Sequence, residues 1–195
     1  MTPQYEAAYE LHQFLTDRGI SYAVIGGLAV QYWGEPRVTR DVDATVLVPQ
    51  EIQKTLVYEL LEKFPARIEN PIDFAIKNRV LLVRSSSGWN MDISFGLPGY
   101  EEEVMRRAVD CNIGSGRTIK FCSAEDLIIH KAVAGRPQDE FDISGIIYRQ
   151  GQKLDDVYIL KWLNIFSHIL ETDEVRSRFT IPWENFIHKI KDQKS

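Results

Sequence analysis

The chain has 195 residues, of which 44% are hydrophobic and 26% charged, enough to bury a full core as one compact unit or as a main domain with a helical appendage. A formal net charge of −5 excludes a global pull toward nucleic acid or anionic membrane, and the two cysteines, Cys111 and Cys122, are too few for a disulfide framework or a zinc site. The N-terminus lacks a basic region followed by an apolar one and no segment approaches a bilayer span, so the expectation is a cytoplasmic protein with no membrane partner.

In chain order, Ala7, Ala8, Leu11, Phe14 and Leu15 fall at helical spacing over residues 4–18, and Gly19 supplies the stop. "SYAVIGG" reads as a short buried strand breaking at Gly26 and Gly27, "LAVQYWG" as a short helix, and "EPRVTR" as loop. "DVDATVLVP" alternates at first, with Asp41 and Asp43 on one face and Val42 on the other, then turns wholly apolar and stops at Pro49. A helix is predicted over residues 50–63, a hairpin from "RVLLVRS" and "WNMDISF", a helix over "PGYEEEVMRRAVD" and a strand at "RTIKFC". "SAEDLIIHKAVAG" opens with a Ser-x-x-Asp cap and closes on Gly135, "RPQDEFDISGIIYRQG" starts a further helix at Pro137, and the remainder from about residue 154 reads as helical. The fold class is α/β (α+β): a mixed sheet of about five strands flanked by helices, with residues 1–122 as the catalytic domain and residues 123–195 as a helical C-terminal region.

The chemistry concentrates on Asp41 and Asp43. Two like charges inside an apolar run are costly without a cation, and side chains at i and i+2 of a strand point the same way about 7 Å apart, so both carboxylates can close on divalent ions. Asp92 completes a set of three if its strand lies beside the first. Three carboxylates holding Mg²⁺ (or Mn²⁺) suit in-line nucleotidyl transfer from an NTP. Gly26 and Gly27 mark a strand-to-helix junction where backbone N–H groups can receive phosphate oxygens, and Arg37, Thr39 and Arg40 add donors nearby.

"GGLAVQYWGEPRVTRDVDATV" followed by "MDI" resembles the nucleotidyltransferase superfamily that includes DNA polymerase beta. More narrowly, "RVTRDVD" with "SAEDLIIHKAVAGRPQDEFDI" is similar to the AbiEii-type nucleotidyltransferases of toxin–antitoxin pairs, a likeness that reaches over residues 21–147. The resemblance implies the nucleotidyltransferase fold and catalytic and metal-binding roles for Asp41, Asp43 and Asp92. It also implies nucleotide binding by Gly26, Gly27, Arg37, Thr39, Lys131 and Arg136, and acid/base or structural roles for Asp139 and Asp142. The acceptor it implies is a hydroxyl on tRNA or other RNA, on protein or on a small molecule, with an antitoxin protein as partner. Two departures stand out: Gly27 replaces a Ser found in many members, and "MDI" lacks the Lys that precedes Asp in AbiEii proteins.

Two further readings use the same residues. A catalytically silent nucleotide-binding or protein-interaction module would have no use for three mutually repelling carboxylates, and an antibiotic adenylyltransferase would use the same core on an aminoglycoside or lincosamide. The aromatics Trp162, Phe166, Phe179, Trp183 and Phe186 read as packed core rather than as a base-stacking platform, and the basic stretches "RQGQK" and "KIKDQKS" are too short for a nucleic-acid footprint. His12, His130, His168 and His188 lie at unrelated spacings and form no metal pair.

Overall fold

A computed structural model describes residues 2–192, so the end of "KIKDQKS" lies outside the described residues. The elements are α1 (Pro3–Thr16), β1 (Ser21–Ile25), α2 (Gly26–Trp33), β2 (Asp41–Leu47), α3 (Gln50–Lys63), α4 (Pro71–Asn78), β3 (Val80–Arg84) and β4 (Asn90–Phe95). They continue with α5 (Tyr100–Arg107), β5 (Val109–Gly114), β6 (Arg117–Phe121), α6 (Ala124–Ala134), α7 (Pro137–Gln150), α8 (Asp156–Ile169) and α9 (Glu174–Asp192). The described residues group into two compact units: one comprises the chain up to Leu28 and Val38–Cys122, the other Ala29–Arg37 and the chain from Ser123 onward.

The first unit is built on a mixed six-stranded sheet in the order β3-β4-β2-β1-β6-β5. β2 runs antiparallel to β1 and parallel to β4, while β1 is parallel to β6. The alternation in "DVD" gives β2 its two faces: Val42 is fully buried while Asp41 and Asp43 are half-buried on the other side. Beyond them Ala44, Thr45 and Val46 are all buried, as the apolar run requires. The core gathers Leu11 and Leu15 of α1, Leu56 and Leu60 of α3, and Val24, Met91, Ile93 and Phe121 from the sheet. Phe14 meets Phe64 edge to face at 5.6 Å.

The sheet has one strand more than expected, and the helix predicted over "PGYEEEVMRRAVD" stops at Arg107, leaving Val109 and Asp110 to open β5. β5 buries Cys111 alone, so this edge strand carries no apolar alternation to read. α4 is likewise an addition to the elements read from sequence. Pro71 starts it after Asn70, which holds a left-handed φ of 50°.

In the second unit, Ser123 caps α6 as its Ser-x-x-Asp pattern foretells, its hydroxyl oxygen accepting from the Asp126 N–H at 3.0 Å. Gly135 ends α6 in the left-handed region with φ 60°. Pro137 opens α7 at its first turn. The expected aromatic core is only partly realised: Phe179 is buried, but Trp162, Phe166, Trp183 and Phe186 are half-buried. Trp183 stacks between Phe179 at 5.7 Å and Phe186 at 5.6 Å, because α9 has one buried edge and an outer face in solvent. Among the described residues, no helix is long and apolar enough to cross a membrane.

Candidate active site

The register of β2 and β4 sets the site. Asp43 is the direct partner of Asp92 across two parallel strands, and Asp41 is the partner of Asn90. The four side chains share the half-buried face of the sheet, since Val42 and Met91 between them point into the core. Adjacent strands stand about 4.8 Å apart, so this pairing brings the third carboxylate beside the other two.

Gly26 begins α2 with φ +64°, a conformation that L side chains rarely adopt. A Cβ there would stand 2.7 Å from Asp43 Cγ, and one on Gly27 would stand 2.6 Å from Thr39 Cβ. The sequence suggests a glycine seat with no side chain in the way. The structure instead fills the space over the two glycines with Asp43 and Thr39, so the missing side chains let these two lie against the backbone at the start of α2. Thr39 is buried and donates from Oγ1 to the Asp41 carbonyl at 3.1 Å, which ties the loop to the first residue of β2.

Two residues that the sequence reading passes over belong to this face. Asn90 donates from Nδ2 to Asp41 Oδ1 at 3.0 Å. Arg67, between α3 and α4, places Nη1 2.8 Å from Asp92 Oδ1 and 3.8 Å from Asp41 Oδ1. Asn90 was within reach of the i, i+2 rule applied backward from Asp92, whereas nothing local in "ARIENP" marks Arg67. Burial pushes the Asp92 carboxyl above its usual range, and repulsion from Asp41 adds to this against the opposing pull of Arg67.

The donor set fits a hard divalent cation, because it consists of carboxylate oxygens gathered on one sheet face with no sulfur or imidazole among them. Among the described residues, no three His, Cys, Asp or Glu side chains are grouped closely enough to hold an ion as they stand. In their present positions Asp41 and Asp92 share Arg67.

The other predicted residues form a second cluster, within the second unit. Arg37 makes a two-pronged ion pair with Asp142, Nε to Oδ1 at 2.7 Å and Nη2 to Oδ2 at 2.8 Å. Its loop is held by Arg149 and Gln150 of α7, which donate to the carbonyls of Gly34 and Trp33 at the end of α2. Lys131 donates to Asp139 Oδ1 at 2.8 Å and lies 2.7 Å from Asp142 Oδ2. Arg136 closes on Asp139 from both its backbone N–H and its Nε. Desolvation pushes Asp139 and Asp142 upward, but the hydrogen bonds from Arg136 and Lys131 on the one, and from Arg37 and Lys131 on the other, hold both below the usual carboxylate range. The Lys131 side chain is 4% exposed, and its ammonium pairs with two aspartates. Arg37 and Arg136 keep 31% and 72% of their side chains in solvent.

A mixed sheet with a strand–Gly-Gly–helix junction, an Asp-x-Asp strand and a third Asp on the adjacent parallel strand defines a nucleotidyltransferase core. The chain matches, over residues 6–191, the family described as nucleotidyltransferase of unknown function (DUF6036), and it belongs to that family of enzymes. No curated protein sequence matches it. The fold is similar to that of an antigenic nucleotidyltransferase-like protein from Paracoccidioides brasiliensis, with a TM-score of 0.51 and 18% identity over 98% of this chain and 89% of that one. Weaker likenesses join it to the lincosamide antibiotic adenylyltransferase LnuA with lincomycin bound (TM-score 0.48, 12% identity, 72% of this chain and 94% of that one). A similar one is to ANT(2'')-Ia in complex with adenylyl-2''-tobramycin (TM-score 0.48, 14% identity, 95% and 99%).

Proposed function

We propose that this enzyme transfers a nucleoside monophosphate from an NTP to an acceptor hydroxyl, with Mg²⁺ or Mn²⁺ held by Asp41, Asp43 and Asp92. The observation that carries the reading is the register that sets Asp43 against Asp92 with Asp41 on the same face. When bound, the divalent ion supplies charge neutralisation on the triphosphate and a lowered pKa at the attacking hydroxyl. The absence of a side chain on Gly26 leaves the Asp43 carboxylate the space that a Cβ would take. Asp92 takes up the acceptor proton as the new O–P bond forms at the α-phosphorus and pyrophosphate leaves. Asn90 steadies Asp41. Within the second unit, Lys131 and Arg37 share the Asp142 carboxylate, which orients the Arg37 guanidinium.

The likeness of the motifs to AbiEii-type enzymes supports a hydroxyl on tRNA or other RNA, on protein or on a small molecule as acceptor, and a toxin role with an antitoxin partner. Incubation of the protein with each α-labelled NTP, Mg²⁺ and, separately, total tRNA, protein extract, an aminoglycoside or a lincosamide tests the reading. Labelled product in one arm, abolished by chelation and by Asp43→Asn, is the expected result. NTP binding with no transfer in any arm would favour a silent nucleotide-binding module.

A further inference from the structure

A cation already stands at the carboxylate face, and the chain supplies it. The backbone around Arg67 is pinned to the edge strand β3: Ala66 bridges to Val83, Arg67 N–H donates to the Leu82 carbonyl at 3.0 Å, and Arg84 N–H donates to the Pro65 carbonyl at 2.9 Å. The other edge of β3 is taken by β4, so the Arg67 side chain reaches across β3 to Asp92 and onward toward Asp41. The side chain is 17% exposed, its backbone is fixed, and its charged end meets carboxylates from two different strands. Asp92 Oδ1 lies 2.8 Å from the guanidinium, and Asp41 Oδ1 lies 3.8 Å from it.

A divalent ion needs carboxylate oxygens of the same face at about 2.0–2.1 Å for Mg²⁺, and the guanidinium beside them repels it. We propose that Arg67 is an internal counter-ion that holds the cation seat of the resting site, so that a divalent ion enters as the guanidinium leaves and the nucleotide's phosphates receive it. The inference rests on the assignment of Asp41, Asp43 and Asp92 as metal ligands. It makes Arg67 a positioning residue that couples metal loading to nucleotide arrival: a polyphosphate gives the displaced guanidinium a partner as good as the one it lost.

The test is Mn²⁺ titration of the full chain followed by electron paramagnetic resonance, with and without a non-hydrolysable NTP analogue. The wild type is expected to bind Mn²⁺ about tenfold or more tightly with the analogue than without it, and equal affinities would overturn the proposal. Arg67→Gln is expected to bind Mn²⁺ about tenfold more tightly than the wild type in the absence of nucleotide, and to lose Tm in Mg²⁺-free buffer that added Mg²⁺ restores. Arg67→Lys, which keeps the charge, stays close to the wild type. An arginine that merely ties its segment over β3 would give a Tm loss indifferent to Mg²⁺ and an unchanged Mn²⁺ affinity, which would also overturn it. Asp43→Asn separates the two claims: if it binds Mn²⁺ as the wild type does in the presence of the analogue, the metal assignment fails and the proposal falls with it. A loss of Mn²⁺ in Asp43→Asn with no effect of Arg67→Gln would refute Arg67's role alone.

Discussion

Asp41 and Asp92 in the first unit keep 41% and 31% of their side chains in solvent and share one arginine, whereas Asp139 and Asp142 in the second keep 1% and 2%, and each of their oxygens has a partner. The closed cluster follows the rule for buried charge: Lys131 and the guanidiniums of Arg37 and Arg136 meet both carboxylates, because a buried charge without a partner is costly. The open cluster meets that rule only in part, with Arg67 shared between Asp41 and Asp92 and Asn90 donating to Asp41. Structure-making and chemistry thus use the same side-chain types, told apart by solvent and by how completely each oxygen is paired.

The largest effect that would sharpen this contrast is chemical. Asp43→Asn is expected to lower nucleotidyl transfer by about 10²–10³-fold or more while its circular dichroism and Tm stay near those of the wild type. In the closed cluster the effect should appear in stability: Lys131→Met leaves two carboxylates facing each other in the interior and is expected to cost about 3–5 kcal/mol, read from urea melts. A variant as stable as the wild type would mean that Lys131 does not hold the two carboxylates together. Gly26→Ala lies between the two, costing about 1–2 kcal/mol for the left-handed backbone and losing more activity than stability, because its Cβ displaces Asp43.

The smallest effect is a pH dependence. Asp142 has a folded pKa below its unfolded value, so its contribution to stability is fully present above the ordinary carboxylate pKa of about 4 and disappears as pH falls through the depressed folded value. The stability gap between wild type and Asp142→Asn should therefore be constant from pH 7 to about pH 5 and narrow below about pH 4. A gap that persisted unchanged at pH 3 would mean that the carboxylate's charge is not what the network uses.

The open cluster is legible in sequence because a strand's period of two fixes which side chains share a face, and the apolar neighbours Val42 and Met91 show which face is buried. The same rule points to Asn90 once Asp92 is placed. Arg67 leaves no such trace: it joins the site through pairing with β3, a contact between segments that no local pattern encodes. The one-turn spacing of Asp139 and Asp142 indicates a shared partner, yet only packing reveals that the partner is Lys131. β5 is hidden for a related reason, since an edge strand with one buried residue lacks the alternation that marks β2 and β4.

The central claim is that three aspartates on one sheet face perform the transfer. Transfer of α-label by Asp92→Asn at 25 °C, with its Tm recorded beside the wild type's, tests it most directly. The account predicts a loss of about 10²-fold or more with a Tm within a few degrees of the wild type's. Transfer within a few-fold of the wild type would contradict it.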